Sequence, residues 1–529
     1  MKFLLVNPFC PIAEGPTPPL GISFLAAVLE KAEVEVKILD FTVFPYSKKN
    51  MEDRLAEFKP DIVGVTSVTM TFNNAIQVVE DVKALNPQIF TVMGGPHVSF
   101  CAVDTLQRYE SLDLIVMGEG EETIVEIAKE YAGSKNWKQV LGVTYRDNEG
   151  IHTNEARPLL DVNTLPFPAR HLLPLGRYRA LHTPISMTTS RGCPFQCIFC
   201  IGRKMVGAKV RYRNPMDVVD ELEQLSKLDF PQINISDDLF TAKKSHCMTI
   251  CNEIIRRKLN ITWSSFARVD TVSEELLKKM KEAGCTAVSF GVETANKEIL
   301  KTIKKGITLE KVKRAICLCK KADILPHVSF ILGLPGETPE SLQETQEFGK
   351  TISDLGAYFG FHLLAPFPGT AVRDQNEEYD LEILTDNWQE YHANRAIVQT
   401  AAVNKDMLNA IAEEWDTETH KQLAQYREKM TNGTATEAET WQIVNLDRFL
   451  FIYQMMTDEI IEKYGSWETD DAVWSAEKAL QGLAERIHGH MNKSEEEVGE
   501  ILNYAYNRRS IHYSCYNNRL NWHWLNYLS

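Results

Sequence analysis

At 529 residues the chain is long enough for three or four ordinary domains. Its formal charge of −15, from 57 Lys and Arg against 72 Asp and Glu, disfavours nonspecific binding to nucleic acid or anionic membranes. No apolar run reaches the roughly 18 residues of a membrane span, and Asn7 and Pro8 interrupt "MKFLLVNPFCP" too early for a secretory segment. Eleven cysteines, an odd number, then read as the reduced thiols of a cytoplasmic protein rather than a disulfide framework.

Residues 1–140 alternate strand and helix patterns. The runs "FLLVNP", "VEVKILDF", "DIVGVTSV", "IFTVMGG" and "LDLIVMG" predict buried parallel strands, separated by amphipathic stretches such as "NNAIQVVEDVKAL". This is an α/β, doubly wound, flavodoxin-like sheet, whose ligands are expected beyond the carboxyl ends of the strands. Residues 141–183 predict a hairpin turning at Asn148-Glu149-Gly150, then a proline-rich linker. Over 184–374 the alternation restarts with "PISMTTS", "QINISDD", "ITWSSFAR", "AVSFGVET", "LPHVSFILG" and "YFGFHLLAP", the pattern of a partial (β/α)6 barrel. Two of its helices have readable starts, Asn214-Pro215 and Thr338-Pro339. From 375 to 529 the strand pattern stops, and stretches such as "DDAVWSAEKALQGLAERIHGHM" predict a helical C-terminal domain whose many tryptophans read as core.

The stretch "TTSRGCPFQCIFC" directly follows the first barrel strand and holds Cys193, Cys197 and Cys200. A structural zinc site wants four ligands, usually in two pairs, and no second pair stands nearby. A redox pair of the Cys-x-x-Cys type would leave Cys193 idle. Soft thiolates in one short loop suit an iron–sulfur cluster, with one iron left open. Of the other cysteines, Cys247 and Cys251 share a helix face and could share a ligand. Cys10, Cys101, Cys285, Cys317, Cys319 and Cys515 read as small buried apolar groups.

The C-x3-C-x2-C spacing with Phe199 before the last cysteine resembles the radical SAM superfamily. The resemblance implies a [4Fe–4S] cluster on Cys193, Cys197 and Cys200, with S-adenosylmethionine (SAM) chelating the open iron. An electron from a donor such as flavodoxin or ferredoxin then cleaves SAM to a 5′-deoxyadenosyl radical. It also implies SAM contacts from Phe199, from Asp238 beside Asp237 in "ISDDLFT", from Arg268 in "FARVD" and from Glu293 in "SFGVET". The segments "ILGLPGET" and "LLAPFPGT" match later strand-to-loop turns of that family.

In the first sheet the loops "TPPLG", "TSVT", "MGGPH" and "MGEGEET" resemble the cobalamin-binding domain that precedes many radical SAM barrels. The cobalamin contacts so implied are Asp40, Ser67, Thr69, Gly94, Gly95, Gly118 and Glu119, with Gly120 beside them. The run "LDFTVFP" keeps Asp40 but has no histidine, which implies a cobalt without that lower ligand. His97 reads as a solvated loop histidine. Together these resemblances imply a cobalamin-dependent radical SAM methyltransferase acting on an unactivated carbon of a lipid, tetrapyrrole, peptide or natural-product precursor, with specificity in the C-terminal domain. A cyclase or oxidase of the magnesium-porphyrin type uses the same cofactors. A SAM-binding iron–sulfur sensor is a third reading, of a different class.

Overall fold

The computed structural model describes residues 1–10, 15–469 and 474–526. Its first sheet contains five parallel strands, Lys2–Asn7, Glu35–Asp40, Ile62–Thr66, Phe90–Gly94 and Leu114–Val116. They lie side by side in the order second, first, third, fourth, fifth. The strands are apolar along their length because helices cover both faces. Ile22, Leu29, Ile124 and Ile127 pack on one side; Met51, Phe72, Ile76 and Val79 pack on the other. The predicted hairpin forms as Val143–Asp147 and Gly150–Thr153, but it is no separate connector: it extends the sheet antiparallel to the fifth strand, Leu114 opposite Tyr145.

The second large sheet has six parallel strands: Ile185–Met187, Ile233–Ile235, Trp263–Ala267, Cys285–Glu293, Leu325–Leu332 and Tyr358–Leu363. They pair in sequence order without closing, as a partial barrel. The Asn214 side chain caps the helix Pro215–Leu225, and Thr338 with Ser341 forms a capping box on Pro339–Asp354. Side chains alternate along each strand. Ile185, Ile233 and Trp263 are buried on the helix-covered side. Their neighbours Ser186, Asn234 and Ser264 therefore share the concave face, as do Ser289, His327 and Tyr358 in the next strands.

The stretch read as a linker is buried rather than loose. In its short helix Leu175–Ala180, Arg177, Tyr178 and Arg179 are each at most 2% exposed. Arg177 donates to the Val43 carbonyl at 2.8 Å, pairs with Glu462, and lies 4.0 Å over the Phe44 ring and 5.0 Å over the Trp524 ring. Arg179 donates to the Arg509 carbonyl at 2.6 Å. A Cβ on Gly176 would stand 1.9 Å from the Leu525 carbonyl oxygen, so this contact with the C-terminal region requires glycine. The helix thus locks the first sheet to the C-terminal region.

That region is mainly helical, with Lys405–Thr431, Glu437–Thr457, Ala476–Ile487 and Glu495–Asn507. The stretch read as helical from Asp471 begins its helix at Ala476; residues 470–473 lie outside the described residues. Contrary to expectation, strands return: Ser466–Glu468, Ile511–Tyr516 and Arg519–Trp524 form an antiparallel sheet. Its hairpin turns at Asn517 and Asn518, with φ of 51° and 56°, the left-handed pair of a type I′ turn. Trp467, Trp522 and Trp524 belong to the core there, whereas Trp441 is 62% exposed. Among the described residues no helix is long and apolar enough to cross a membrane.

Candidate active site between the two sheets

The cysteine loop leaves the first barrel strand through a short antiparallel contact of Ser190–Arg191 with Arg211–Tyr212. Cys193 and Cys197 are half-buried and Cys200 is exposed. The Gly202 amide donates to the Cys200 sulfur at 3.4 Å, the kind of N–H···S bond that tunes iron–sulfur clusters. The Ile198 amide donates to the Ile303 carbonyl at 3.2 Å, which ties the loop to the barrel. Among the described residues, the one set of three or more His, Cys, Asp or Glu whose ligand atoms all fall within 4.8 Å is Asp147, Glu149 and His152 in the hairpin. The three cysteine sulfurs therefore do not all lie within 4.8 Å of one another. Burial pushes the half-buried Cys197 thiol up, the opposite of what an activated redox cysteine needs.

Around this loop the barrel gathers charge. Glu293 ends its strand with φ +74° and is 6% exposed; its carboxylate meets the Lys305 ammonium at 2.7 Å. The left-handed backbone turns Glu293 off the regular strand alternation. Gly291 makes room, since a Cβ there would lie 2.4 Å from Glu293 Oε1 and 3.1 Å from Lys305 Nζ. Lys305 Nζ stands 5.8 Å from the centre of the Phe199 ring. Arg268 is held by Asp270 at 3.0 and 3.1 Å and lies 3.5 Å over Phe195 of the cysteine loop. Asp238 accepts the Gly192 amide at 2.9 Å. Phe199, Asp238, Arg268 and Glu293 thus converge on one loop. Its neighbour Asp237 is buried, accepts four hydrogen bonds from Thr189 and Ser190 and braces the strand end.

Beyond the carboxyl ends of the first sheet lies a cavity of about 260 Å³. Its floor is apolar, from Leu5, Ile22, Val65 and Val92; its rim carries Gly94, Gly95, Gly118 and Glu119. A Cβ on Gly95, where φ is +111°, would lie 2.4 Å from the Ser67 carbonyl oxygen. Gly118, with φ +72°, has open space where its Cβ would point. An apolar slot with bare backbone at its mouth fits a flat, bulky ligand with an apolar tail. Arg191, Met205 and Val206 close the slot from the barrel side. These three residues flank the cysteine loop.

One ionic latch binds the two halves of this site. Glu119 meets Arg191 at 3.1 Å and Arg211 at 2.8 Å, while Glu121 meets Arg191 at 2.7 Å. Both carboxylates are only 7% exposed, and Arg191 also lies 5.2 Å over the Phe24 ring. The arginines hold the Glu119 carboxyl below its usual range despite burial. Glu119, read as a cofactor contact, spends its carboxylate on this latch. Sequence reasoning missed Arg191, Arg211, Glu121 and Lys305. Their partners are 12 to 92 residues away, and only the acidic run "GEGEE" hinted at a cationic counterpart.

Three expectations about the first sheet change. Asp40 lies outside the cavity: fully buried, it accepts from Asn7 at 2.8 Å, from Thr42 and from Tyr178, so it anchors the linker helix. Burial raises its carboxyl above the usual range. Ser67 and Thr69 sit beneath the rim. The Ser67 amide donates to the Gly94 carbonyl at 2.8 Å, and Thr69 Oγ1 lies 3.2 Å from His97 Nδ1. His97 is 1% exposed rather than solvated, packed on Phe72 and Trp388. Burial, with Arg373 nearby, lowers its pKa to about 3. The other cysteines divide. Cys247, Cys251, Cys285 and Cys319 are buried core, and desolvation pushes the Cys247 thiol far up, which suits packing rather than a shared ligand. Cys10 and Cys101 are half-buried, while Cys317 and Cys515 are exposed, on the outer side of a helix and on the C-terminal hairpin.

Three cysteines at a barrel mouth, joined to a glycine-rimmed slot, define a radical SAM enzyme with a cobalamin domain in front. Residues 187–349 match the radical SAM superfamily and residues 12–128 the B12 binding domain. An uncharacterized methyltransferase of Pyrococcus horikoshii is 36% identical over 399 residues, 74% of this chain and 86% of that protein. The anaerobic magnesium-protoporphyrin IX monomethyl ester cyclase of Rubrivivax gelatinosus is 29% identical over 384 residues, 70% of this chain and 68% of that protein. The solved structure of the cobalamin-dependent SAM radical enzyme OxsB, with aqua-cobalamin and SAM bound, superposes with a TM-score of 0.69 at 18% identity, covering 96% of this chain and 83% of that one. The chain belongs to the B12-binding radical SAM family and is a radical SAM enzyme of its methyltransferase branch. Its cofactors are a [4Fe–4S] cluster, SAM and cobalamin.

Proposed function

We propose that this enzyme transfers a methyl group from SAM to an unactivated carbon of a small organic substrate. One observation carries the reading: Arg191, Met205 and Val206, which flank the cysteine loop, also wall the slot of the cobalamin domain. When bound, the cluster, SAM and cobalamin supply a carbon-radical initiator and a methyl carrier. The chain's own residues hold and separate these groups. Cys193, Cys197 and Cys200 fix the cluster. The opposed charges of Glu293 and Lys305, 2.7 Å apart, suit the ammonium and carboxylate of a methionyl group. Arg268, stacked on Phe195, stiffens the loop. The apolar floor of the slot keeps water from the cobalamin tail.

The test is product analysis under anaerobic reduction with flavodoxin or ferredoxin as electron donor, on metabolite extract from cells lacking the protein. The expected result is S-adenosylhomocysteine and 5′-deoxyadenosine released together, with one extract component heavier by a methylene unit. Deoxyadenosine with a product that gains no carbon would instead assign ring formation or oxidation.

A further inference from the structure

A second cavity, of about 350 Å³, lies where the cobalamin domain, the end of the last barrel strand and the C-terminal helices converge. Cys10, Thr17 and Met70 come from loops beyond the first sheet's strands, His362 from the last barrel strand and Phe367 from the turn after it, and Tyr453 from the helix Glu437–Thr457. The barrel turn also reaches the cysteine loop, because Lys204 donates to the Gly369 carbonyl at 2.5 Å and the Val372 amide donates to the Ile198 carbonyl at 3.2 Å. The cavity thus adjoins both halves of the site.

Its lining is unusual for a chain so rich in charge. Among the described residues no Lys, Arg, Asp or Glu contributes to it. Arg373 comes near but stands behind Tyr391, donating to the Tyr391 hydroxyl at 2.8 Å. Three polar ring side chains keep an atom without a hydrogen-bond partner. His392 Nδ1 is buried without a hydrogen-bond partner, and neither the His362 ring nor the Tyr453 hydroxyl has a hydrogen-bond partner among the described residues. Burial, with Arg395 nearby, lowers the His392 pKa, which favours its uncharged ring. Phe367, Tyr391 and Tyr453 supply ring faces. The concave barrel surface that leads to this corner repeats the theme with Ser186, Asn234, Ser264 and Ser289.

We infer that this cavity is the substrate pocket and that it takes an uncharged ring compound with one or two hydroxyl, amide or ring-nitrogen groups. A phosphorylated substrate would be desolvated here with no cation to meet it, a cost of several kcal/mol. A volume of about 350 Å³ holds roughly a dozen waters at ~30 Å³ each. That admits one or two fused rings and excludes full enclosure of a tetrapyrrole or a long lipid. Calling the ligand a substrate rests on the methyl-transfer reading above; the pocket's preference for neutral rings does not.

Binding of 2-naphthol and 2-naphthyl phosphate to the full, cobalamin-loaded chain tests this without reductant or turnover, so its failure is separable from failure of methyl transfer. The same ring is offered with and without a dianion. The expected result is naphthol binding at least about tenfold tighter than the phosphate. It should weaken about threefold or more in Tyr453→Phe and in His362→Ala, with cobalamin content and far-ultraviolet dichroism unchanged. Equal or tighter binding of the phosphate, or naphthol binding that both variants leave intact, would overturn the proposal. So would naphthol binding that disappears on cobalamin loading, because the cavity would then belong to the corrin.

Discussion

Two regions of the molecule solve the same positional problem in opposite ways. Both sit beyond the carboxyl ends of a parallel sheet. The first sheet offers shape: bare backbone at Gly94, Gly95 and Gly118 over an apolar floor. The barrel offers charge, Glu293 with Lys305 and Arg268 with Asp270, beside the three cysteines. A large, flat ligand is best recognised by a dry fitted slot, whereas a small zwitterion and a metal cluster need fixed charges and donors. Strand-end geometry therefore fixes where chemistry happens, and the lining decides what kind.

Breaking the charged side first has the largest expected effect. Cys197→Ala should drop iron from about four per chain to near zero while leaving cobalamin bound, as elemental analysis of cobalt and iron would report. Next is the latch. Arg191→Met strands the buried Glu121 carboxylate and leaves Glu119 with Arg211 alone, and should cost ~3–5 kcal/mol of stability, read by denaturant unfolding; Glu119→Gln combined with Arg191→Met should cost less than the sum of the two single changes. On the shape side, Gly94→Val should be tolerated by the fold, since the nearest protein atom to a Cβ there is 3.6 Å away. It fills the slot, and should weaken cobalamin binding about tenfold, or ~1.4 kcal/mol, with iron content unchanged. If Gly94→Val lost iron as well, the two ends would not be chemically separate.

The smallest effect concerns Glu337, in the turn after the fifth barrel strand. It is 1% exposed, accepts the Gly333 amide at 2.6 Å and the Leu334 amide at 3.1 Å, and keeps one oxygen buried without a partner. Burial raises its pKa from 4.5 to about 8. The folded state thus favours the protonated acid, so the stabilisation is full below pH 4.5 and is lost as pH rises through about 8. Unfolding midpoints from about pH 6 to pH 9 should fall less in Glu337→Gln than in the native chain; parallel slopes would contradict this.

Legibility in the sequence followed the range of each interaction. Cys193, Cys197 and Cys200 were readable as one group because all three lie in a single short loop. The parallel strands were readable because apolar runs and helical periods alternate cleanly. The capping residues Asn214 and Thr338 act within three positions of themselves. Asp40 misled: its identity suited a ligand, but its environment depends on Tyr178, 138 residues on. His97 misled likewise, because Trp388 buries it from the far side of the chain. The C-terminal sheet left a signal that went unused, the Asn517-Asn518 pair between alternating aromatics in "IHYSCYNNRLNWHW".

The most direct measurement is the metal and sulfide content of anaerobically reconstituted, full-length protein after exposure to cobalamin. The account predicts about four iron and four sulfide per chain together with about one cobalt, and an iron-cluster spectrum that changes on adding SAM. Zinc in place of iron, or cobalt that fails to stay with the chain, would contradict it.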